Sequence, residues 1–289
     1  MTGGYAAGAG SAPAAPGVLS PDHPADRAAV DVDVLVIGSG FGGSVAALRL
    51  AEKGWSVLVL EAGRRFADAD FAKTSWDVKN YLWAPGLGCY GVQRIHKLPD
   101  VMILAGAGVG GGSLNYANTL YRPPRAFYDD PQWRDLADWE AELAPHYDTA
   151  TRMLGVVQEN PCEGVVEQVM REAAEEMGVG HTFRKTPVGV FLGQPGVTVP
   201  DPYFGGEGPD RTGCTMCGNC MVGCRVGAKN TLVKNYLALA ERLGVHIEPL
   251  SLFSSKHATA ADVPDGGVIA ITNDVSNQNR GLKLLESAG

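Results

Sequence analysis

The chain has 289 residues, enough to bury a sizeable core in one large or two ordinary domains. Its formal charge of -8 and pI near 5.3 offer no basic stripe to phosphates, which argues against a nucleic-acid surface. No stretch approaches the roughly 18 consecutive apolar residues of a membrane span. The six cysteines do not read as a disulfide framework either, because four of them crowd into eleven residues of a chain that is not a small secreted domain.

Residues 1–30 are dominated by Ala, Gly and Pro, which bury too little surface to offset the entropy of ordering, so a disordered tail is expected. The tail has no basic n-region and no unbroken apolar run, so it does not read as a secretory signal, and a cytoplasmic location is expected. Val34 to Ile37 is a continuous apolar run that suits a strand buried on both faces of a parallel sheet. A glycine turn follows at once. Gly38 permits the tight turn, Gly40 lets backbone approach a pyrophosphate, and Gly43 allows the next helix to pack on the strand. With Ser39, Phe41 and Gly42 these residues form the candidate phosphate cradle, facing the positive end of a helix that opens near Phe41. A second strand ends on Glu61, where a carboxylate can accept hydrogen bonds from a ribose. Strand, turn, helix, second strand and acid in this order point to dinucleotide binding; an isolated glycine turn would not.

Between Arg64 and Pro99 aromatic and polar residues mix without a clear period, as in a connecting segment packed over the first domain. Val101 to Leu104 leads into a second glycine cluster, with Gly106, Gly108, Gly110, Gly111 and Gly112 inside seven positions. Each missing Cβ removes a steric barrier, so this loop can lie against something flat or charged. Ser113, Asn115 and Asn118 follow as uncharged groups suited to a phosphate oxygen or the polar edge of a flavin. Together the two clusters favour FAD over a shorter cofactor. Further on, a helix is expected from Pro131 through Leu143 and another over Glu163–Met177. Asn230 or Thr231 is expected to cap a helix running to about Leu243, with strands at Val245–Leu250 and Val268–Thr272. Residues 186–213 read as loop with short strands.

Cys214, Cys217, Cys220 and Cys224 make C-x2-C-x2-C-x3-C, the spacing of a bacterial ferredoxin cluster. No proline follows Cys224, and a remote ligand would have to come from Cys89 or Cys162. An iron-sulfur cluster, a structural zinc site and plain reduced thiols all remain open on the spacing. A cluster would relay electrons from reduced flavin to an acceptor other than oxygen.

GSGFGGS at 38–44, LEAG at 60–63 and GAGVGGGSLNYAN at 106–118 resemble the FAD-binding motifs of the glucose-methanol-choline (GMC) oxidoreductases. FAKTSWD at 71–77, GCYGVQRIH at 88–96, VPDPYFGG at 199–206 and GAKNTLVKNYL at 227–237 are similar to the actinobacterial cholesterol oxidase branch of that family. The resemblance covers roughly residues 31–250. It implies an α/β, Rossmann-like FAD-binding fold with part of a substrate cap, incomplete at the C-terminus. A tail at 1–30 would precede an FAD-binding region at 31–289, with a cap-type insertion at about 121–212 and the cysteine segment at 213–225. It also implies a noncovalently held FAD, a sterol or other hydrophobic alcohol as substrate, and hydride transfer from the 3-hydroxyl carbon to the flavin.

Family members take the hydroxyl proton with a histidine, helped by a second histidine or an asparagine, in the C-terminal half of a longer chain. None of His23, His96, His146, His181, His246 or His257 carries over to that role, so no catalytic residue is assigned. The expectation is an N-terminal part of such an enzyme, with a C-terminal partner chain as the source of the missing half. The competing expectation is a noncatalytic flavin-binding or iron-sulfur electron-transfer subunit.

Overall fold

The structure, a computed structural model, describes residues 32–249. The tail at 1–30, the strand expected at 268–272, and His23 and His257 lie outside the described residues. Strand β1 (Val34–Ile37), helix α1 (Phe41–Ala51) and strand β2 (Val57–Glu61) form the expected unit. The strands pair in parallel, with Val34 opposite Val57 and Ile37 opposite Leu60. Gly43 is what seats the helix. A Cβ there would lie 1.9 Å from the carbonyl oxygen of Gly38, so no larger residue permits this approach of helix to turn.

β1 departs from the sequence expectation. Val34 and Val36 pack toward the core, but Leu35 and Ile37 are 50% and 68% exposed. Among the described residues the strand, at one edge of a three-stranded parallel sheet, therefore alternates and is covered on one face.

The connecting segment hides a hairpin. β3 (Gln93–Lys97) and β4 (Met102–Gly106) pair antiparallel, Gln93 opposite Gly106, and so deliver the chain into the second glycine cluster. Beneath them Phe66 and Phe71 stack with ring centres 5.4 Å apart, packed with Val92 and Leu114 in a small satellite core.

The helix expected from Pro131 starts later. α2 runs Trp139–Met153 and is capped by Asp138, whose carboxylate accepts from the Ala141 N–H at 3.2 Å. Before it the chain turns, held by the indole N–H of Trp133 on the Phe127 carbonyl and that of Trp139 on the Trp133 carbonyl, both at 2.8 Å. The apolar spacing there serves these turns, and Leu136 stays exposed. α3 (Val165–Glu176) forms where expected, and Gly178 ends it at a φ of 73°. Its face of Val165, Val166, Val169 and Met170 is exposed among the described residues.

The last helix is also capped later than expected. α4 (Tyr236–Arg242) takes Asn235 as its cap, because Asn230 is buried and committed elsewhere and Leu232–Lys234 forms a short 3-10 turn. β5 (His246–Pro249) then adds to β2 in parallel, giving the order β1-β2-β5. α4 packs on α1. Leu48, Val59, Leu237, Ala240 and Ile247 meet in the main core with Val109 of the second glycine cluster. Each large aliphatic side chain buried there contributes roughly 1.5–3 kcal/mol, so the core binds the cluster to the sheet.

Candidate FAD site

The two glycine motifs, far apart in sequence, lie against each other. A Cβ on Gly111 would sit 2.8 Å from the Cα of Gly40, and one on Gly63 would sit 2.3 Å from the backbone nitrogen of Gly108. These are backbone-to-backbone contacts that only glycine allows. Phe41 and Tyr116 add an edge-on ring contact at 5.8 Å.

One polar chain runs through the contact. Glu61 accepts from the Ser39 N–H at 2.9 Å and the Ser39 hydroxyl at 2.6 Å with one oxygen, and from the Gly63 N–H at 2.9 Å with the other. The Ser39 hydroxyl oxygen in turn accepts from the Gly110 N–H at 2.9 Å. The acid at the end of β2 thus ties the first turn, its own strand end and the second cluster into one unit. A carboxylate offers about four lone-pair sites, so one site stays available to a ribose hydroxyl.

The surfaces that face a phosphate are open. A Cβ on Gly38, Gly40 or Gly42 would meet nothing within 4 Å, and no side chain caps the start of α1. Its first-turn N–H groups therefore point outward at the positive end of the helix dipole. In the second cluster Gly108, Gly110 and Gly111 all have positive φ, and Gly112 completes the turn over Gly111–Leu114.

The polar residues of that cluster divide. The Ser113 hydroxyl donates to the Gly110 carbonyl at 2.7 Å and accepts from the Leu232 N–H at 3.0 Å. The Asn115 amide donates to Gln93 at 2.9 Å and to the Ala105 carbonyl at 3.3 Å. Their donors are spent on the loop, so these two shape the site rather than offer free groups to a cofactor. Asn118 differs: it is buried at a φ of 55°, and its Oδ1 has no partner. A buried acceptor without a partner, beside backbone held open by glycine, fits a flavin nucleotide.

Residues 211–230 contribute what the sequence pattern did not signal. Lys229 is fully buried, its ammonium donating to the carbonyls of Leu114 at 2.9 Å and Cys220 at 2.8 Å and lying 4.6 Å from the Tyr116 ring centre. Burial pushes it down to about 7, against the opposing pull of Cys220 and Cys224. Burial also pushes the Tyr116 phenol well above its ordinary value. Arg211 is equally buried. One of its nitrogens donates to the Ala228 carbonyl at 3.0 Å and to Asn230, while its Nε and Nη1 have no partner. Lys229 lies in the GAKN run, where nothing in a local pattern distinguishes a buried lysine from an exposed one.

The cysteines do not assemble as ligands. Among the described residues no group of three or more His, Cys, Asp or Glu, with Cys214, Cys217, Cys220 and Cys224 included, is placed so as to hold a metal ion. All four thiols are free. Met216 and Gly218 take positive φ, the segment has no regular secondary structure, and Cys217 is exposed. The Cys214 sulfur instead accepts from the Met216 N–H at 3.3 Å. Nor do the described histidines gather at the glycines. His146 and His181 are exposed, His96 lies opposite Ile103 in the hairpin, and His246 pairs with Glu248 at 3.1 Å.

Comparison with known proteins accords with this geometry. The model of the FAD dependent oxidoreductase family matches residues 33–187, more than half of the chain. The chain belongs to that family. Its relatives place it among the GMC-type oxidoreductases. It is 66% identical over 226 residues to a cholesterol oxidase of Mycobacterium tuberculosis, covering 76% of this chain and 39% of the relative. It is 49% identical over 221 residues to a cholesterol oxidase of Acinetobacter baumannii, covering 75% and 40%. A solved structure of formate oxidase from Aspergillus oryzae superposes at a TM-score of 0.39 with 16% identity, over 75% of this chain and 38% of that one. A second family model, NlpA lipoprotein, matches residues 229–289, a minor part of the chain that reaches beyond the described residues. The chain spans about two fifths of the length of the two curated cholesterol oxidases it matches. No helix among the described residues is long and apolar enough to cross a membrane.

Proposed function

We propose that this chain provides the FAD-binding half of an oxidoreductase that acts on the CH–OH group of a sterol or a similarly bulky alcohol. The observation that carries the reading is the contact of the two glycine motifs through Glu61, Ser39 and Gly110. Gly38 to Gly43 would hold the pyrophosphate on the start of α1, Glu61 the ribose, and Gly108 to Gly112 with Asn118 the flavin end. Bound FAD would supply the hydride acceptor. Ser113 and Asn115 keep the loop in shape, and Lys229 anchors its far end.

The substrate reading draws support from the cholesterol oxidase relatives and from one feature of the segment at 121–212, which we assign to the cap. A shallow hollow of about 510 Å³ is lined there by Val156, Val157, Val190, Phe191, Leu192 and Tyr203 together with Asp148, Thr151 and Arg152. Its wall connects to the glycine cluster, since the Asn230 amide donates to the Tyr203 hydroxyl at 3.3 Å and the Tyr116 hydroxyl donates to the Asn230 carbonyl at 3.2 Å. A largely apolar hollow of that size suits the body of a large alcohol.

Two experiments test the reading. Purified chain incubated with FAD should stay yellow after gel filtration and release free flavin on denaturation, with NAD unable to displace it; colourless folded protein would refute the cofactor. Because no described histidine stands at the glycines, the chain alone is expected to give no turnover of cholesterol. Supplying the remainder of the Mycobacterium tuberculosis relative as a second polypeptide should yield 3-ketosteroid. A preference for short alcohols in that complex would refute the sterol.

A further inference from the structure

The hollow of the cap and the flavin end of the cradle meet on one buried side chain. Asn230 is 3% exposed, and its polar groups find partners on separate stretches of the chain. Its carbonyl accepts from the hydroxyl of Tyr116 at 3.2 Å, and Tyr116 belongs to the second glycine stretch, with its ring against Phe41 of the first. Its amide donates to the carbonyls of Leu154 at 2.9 Å and Gly155 at 3.2 Å and to the Tyr203 hydroxyl at 3.3 Å. Gly155 and Tyr203 line the hollow. The Asn230 Oδ1 accepts from Arg211, whose guanidinium lies 5.8 Å from the Tyr203 ring centre. The Asn230 N–H donates to the Gly189 carbonyl at 2.9 Å, while the Gly189 N–H donates to the Asn118 carbonyl at 2.8 Å. Two glycines give Asn230 room. A Cβ on Gly155 would come within 2.6 Å of its amide nitrogen, and one on Gly189 within 3.2 Å of the Tyr116 hydroxyl.

We propose that Asn230 is a positioning residue: it holds the Tyr203 wall of the hollow in register with the flavin end of the cradle, so that FAD in the cradle firms the wall on which the alcohol rests. The amide has two N–H groups for three acceptors, and its bond to Tyr203 is the longest of the three, so that bond is the one a change at either end alters first. The turn at 201–208 is otherwise closed on itself, with the N–H groups of Tyr203, Phe204, Gly206 and Gly208 on the Asp201 carboxylate. The Tyr203 hydroxyl carries the tie from that turn to Asn230. FAD against the second glycine cluster restricts Tyr116, Tyr116 restricts the Asn230 carbonyl, and the amide of the same residue restricts Tyr203. Such coupling is reciprocal, so a sterol body resting on the Tyr203 ring returns the same factor to FAD. The effect on ligands rests on the FAD and sterol readings of the two sites; the tie through Asn230 does not depend on them.

The test is amide hydrogen exchange on the full chain with and without FAD. In the wild type FAD should slow exchange across 38–43 and 106–118 and, through Asn230, across 201–208 by about fivefold, the lower end of coupling between sites. Asn230→Leu should lose the FAD effect at 201–208. Should that variant fail to fold, two single-hydroxyl deletions decide: Tyr116→Phe and Tyr203→Phe should each keep the FAD protection at 38–43 and lose it at 201–208. A residue that only fills space would speed exchange equally with and without FAD. Protection of 201–208 that survives both tyrosine variants, or wild-type protection confined to the two glycine stretches, would overturn the coupling. If FAD protects neither glycine stretch, the flavin reading falls; the tie is then read without FAD, where Tyr116→Phe should still speed exchange at 201–208 and an unchanged rate would overturn it. Cholesterol carried by cyclodextrin should tighten FAD about fivefold in the wild type and not in Tyr203→Phe. Equal FAD affinity with and without cholesterol, alongside protection of 201–208 by FAD, would overturn the sterol reading and leave the tie standing.

Discussion

The glycine network and the cysteine segment solve opposite problems. In the network, residues 38–63 and 106–118 approach so closely that backbone meets backbone, and nearly every polar group at the contact has a partner. In the segment from Arg211 to Lys229 two cations are buried, Arg211 facing Tyr203, Asp68 and Asp201 and Lys229 facing the thiols of Cys220 and Cys224, and two nitrogens of Arg211 have no hydrogen-bond partner. The first region is rigid because little can be changed without a clash. The second keeps unspent interactions. Close packing gives a fixed cradle, whereas the cysteine segment leaves buried polar atoms without partners.

The sharpest way to break the comparison is at the network's tightest glycine. Gly43→Ala places a Cβ against the Gly38 carbonyl and should destabilise the chain by about 3 kcal/mol, seen as a lower urea midpoint or as insoluble protein. Gly42→Ala, one residue earlier in open space, should be neutral or stabilising by about 0.5–1 kcal/mol. Similar midpoints for the two variants would mean that helix and turn do not touch as described.

Glu61→Gln should cost about 1–3 kcal/mol in FAD binding, because an amide cannot accept at both oxygens and its N–H groups meet the N–H of Ser39 or Gly63. Glu52→Gln is the control, lying in an exposed pair with Arg49 at 2.6 Å. Titration of both variants with FAD should separate them; equal affinities would remove Glu61 from the site.

A smaller effect is expected at Asp201, near the cysteine segment. Partial burial pushes its carboxyl up, but the N–H groups of Tyr203, Gly208, Gly206 and Phe204 outweigh this and hold it below the ordinary carboxylate value. A depressed folded value means that the stabilisation is complete above the unfolded pKa and is lost as pH falls through the folded one. Asp201→Asn should therefore cost about 1 kcal/mol at neutral pH and nothing once the pH is well below about 4. A constant difference between wild type and variant from pH 7 to pH 2 would contradict this assignment. Smallest of all, Arg49→Gln should shift stability by no more than about 0.5 kcal/mol, since both partners of that pair are solvated. A larger loss on thermal melting would mean that Arg49 acts through its contact with the Tyr236 ring.

The sequence by itself determined the strand, turn, helix and acid from Val34 to Glu61, the identity of both glycine clusters and the helix over Val165–Glu176. Each of these rests on local chemistry: glycine where φ is positive or space is absent, apolar spacing at a helical period, and an acid at a strand end. Tertiary structure decided the rest. That Gly111 lies on Gly40 and Gly63 on Gly108 follows from chain crossings that no local pattern encodes. The helix expected from Pro131 gave way to indole-held turns because Asp138 and two tryptophan N–H groups found better partners there. Ser113 and Asn115 turned inward because Leu232, Gln93 and Ala105 reached them first. The cysteine spacing allowed a metal cluster, yet placement of thiols depends on backbone dihedrals at Met216 and Gly218 and on a lysine buried from another stretch of chain. Spacing is a one-dimensional property, whereas a site is a set of distances set by whichever distant groups the fold brings to each side chain.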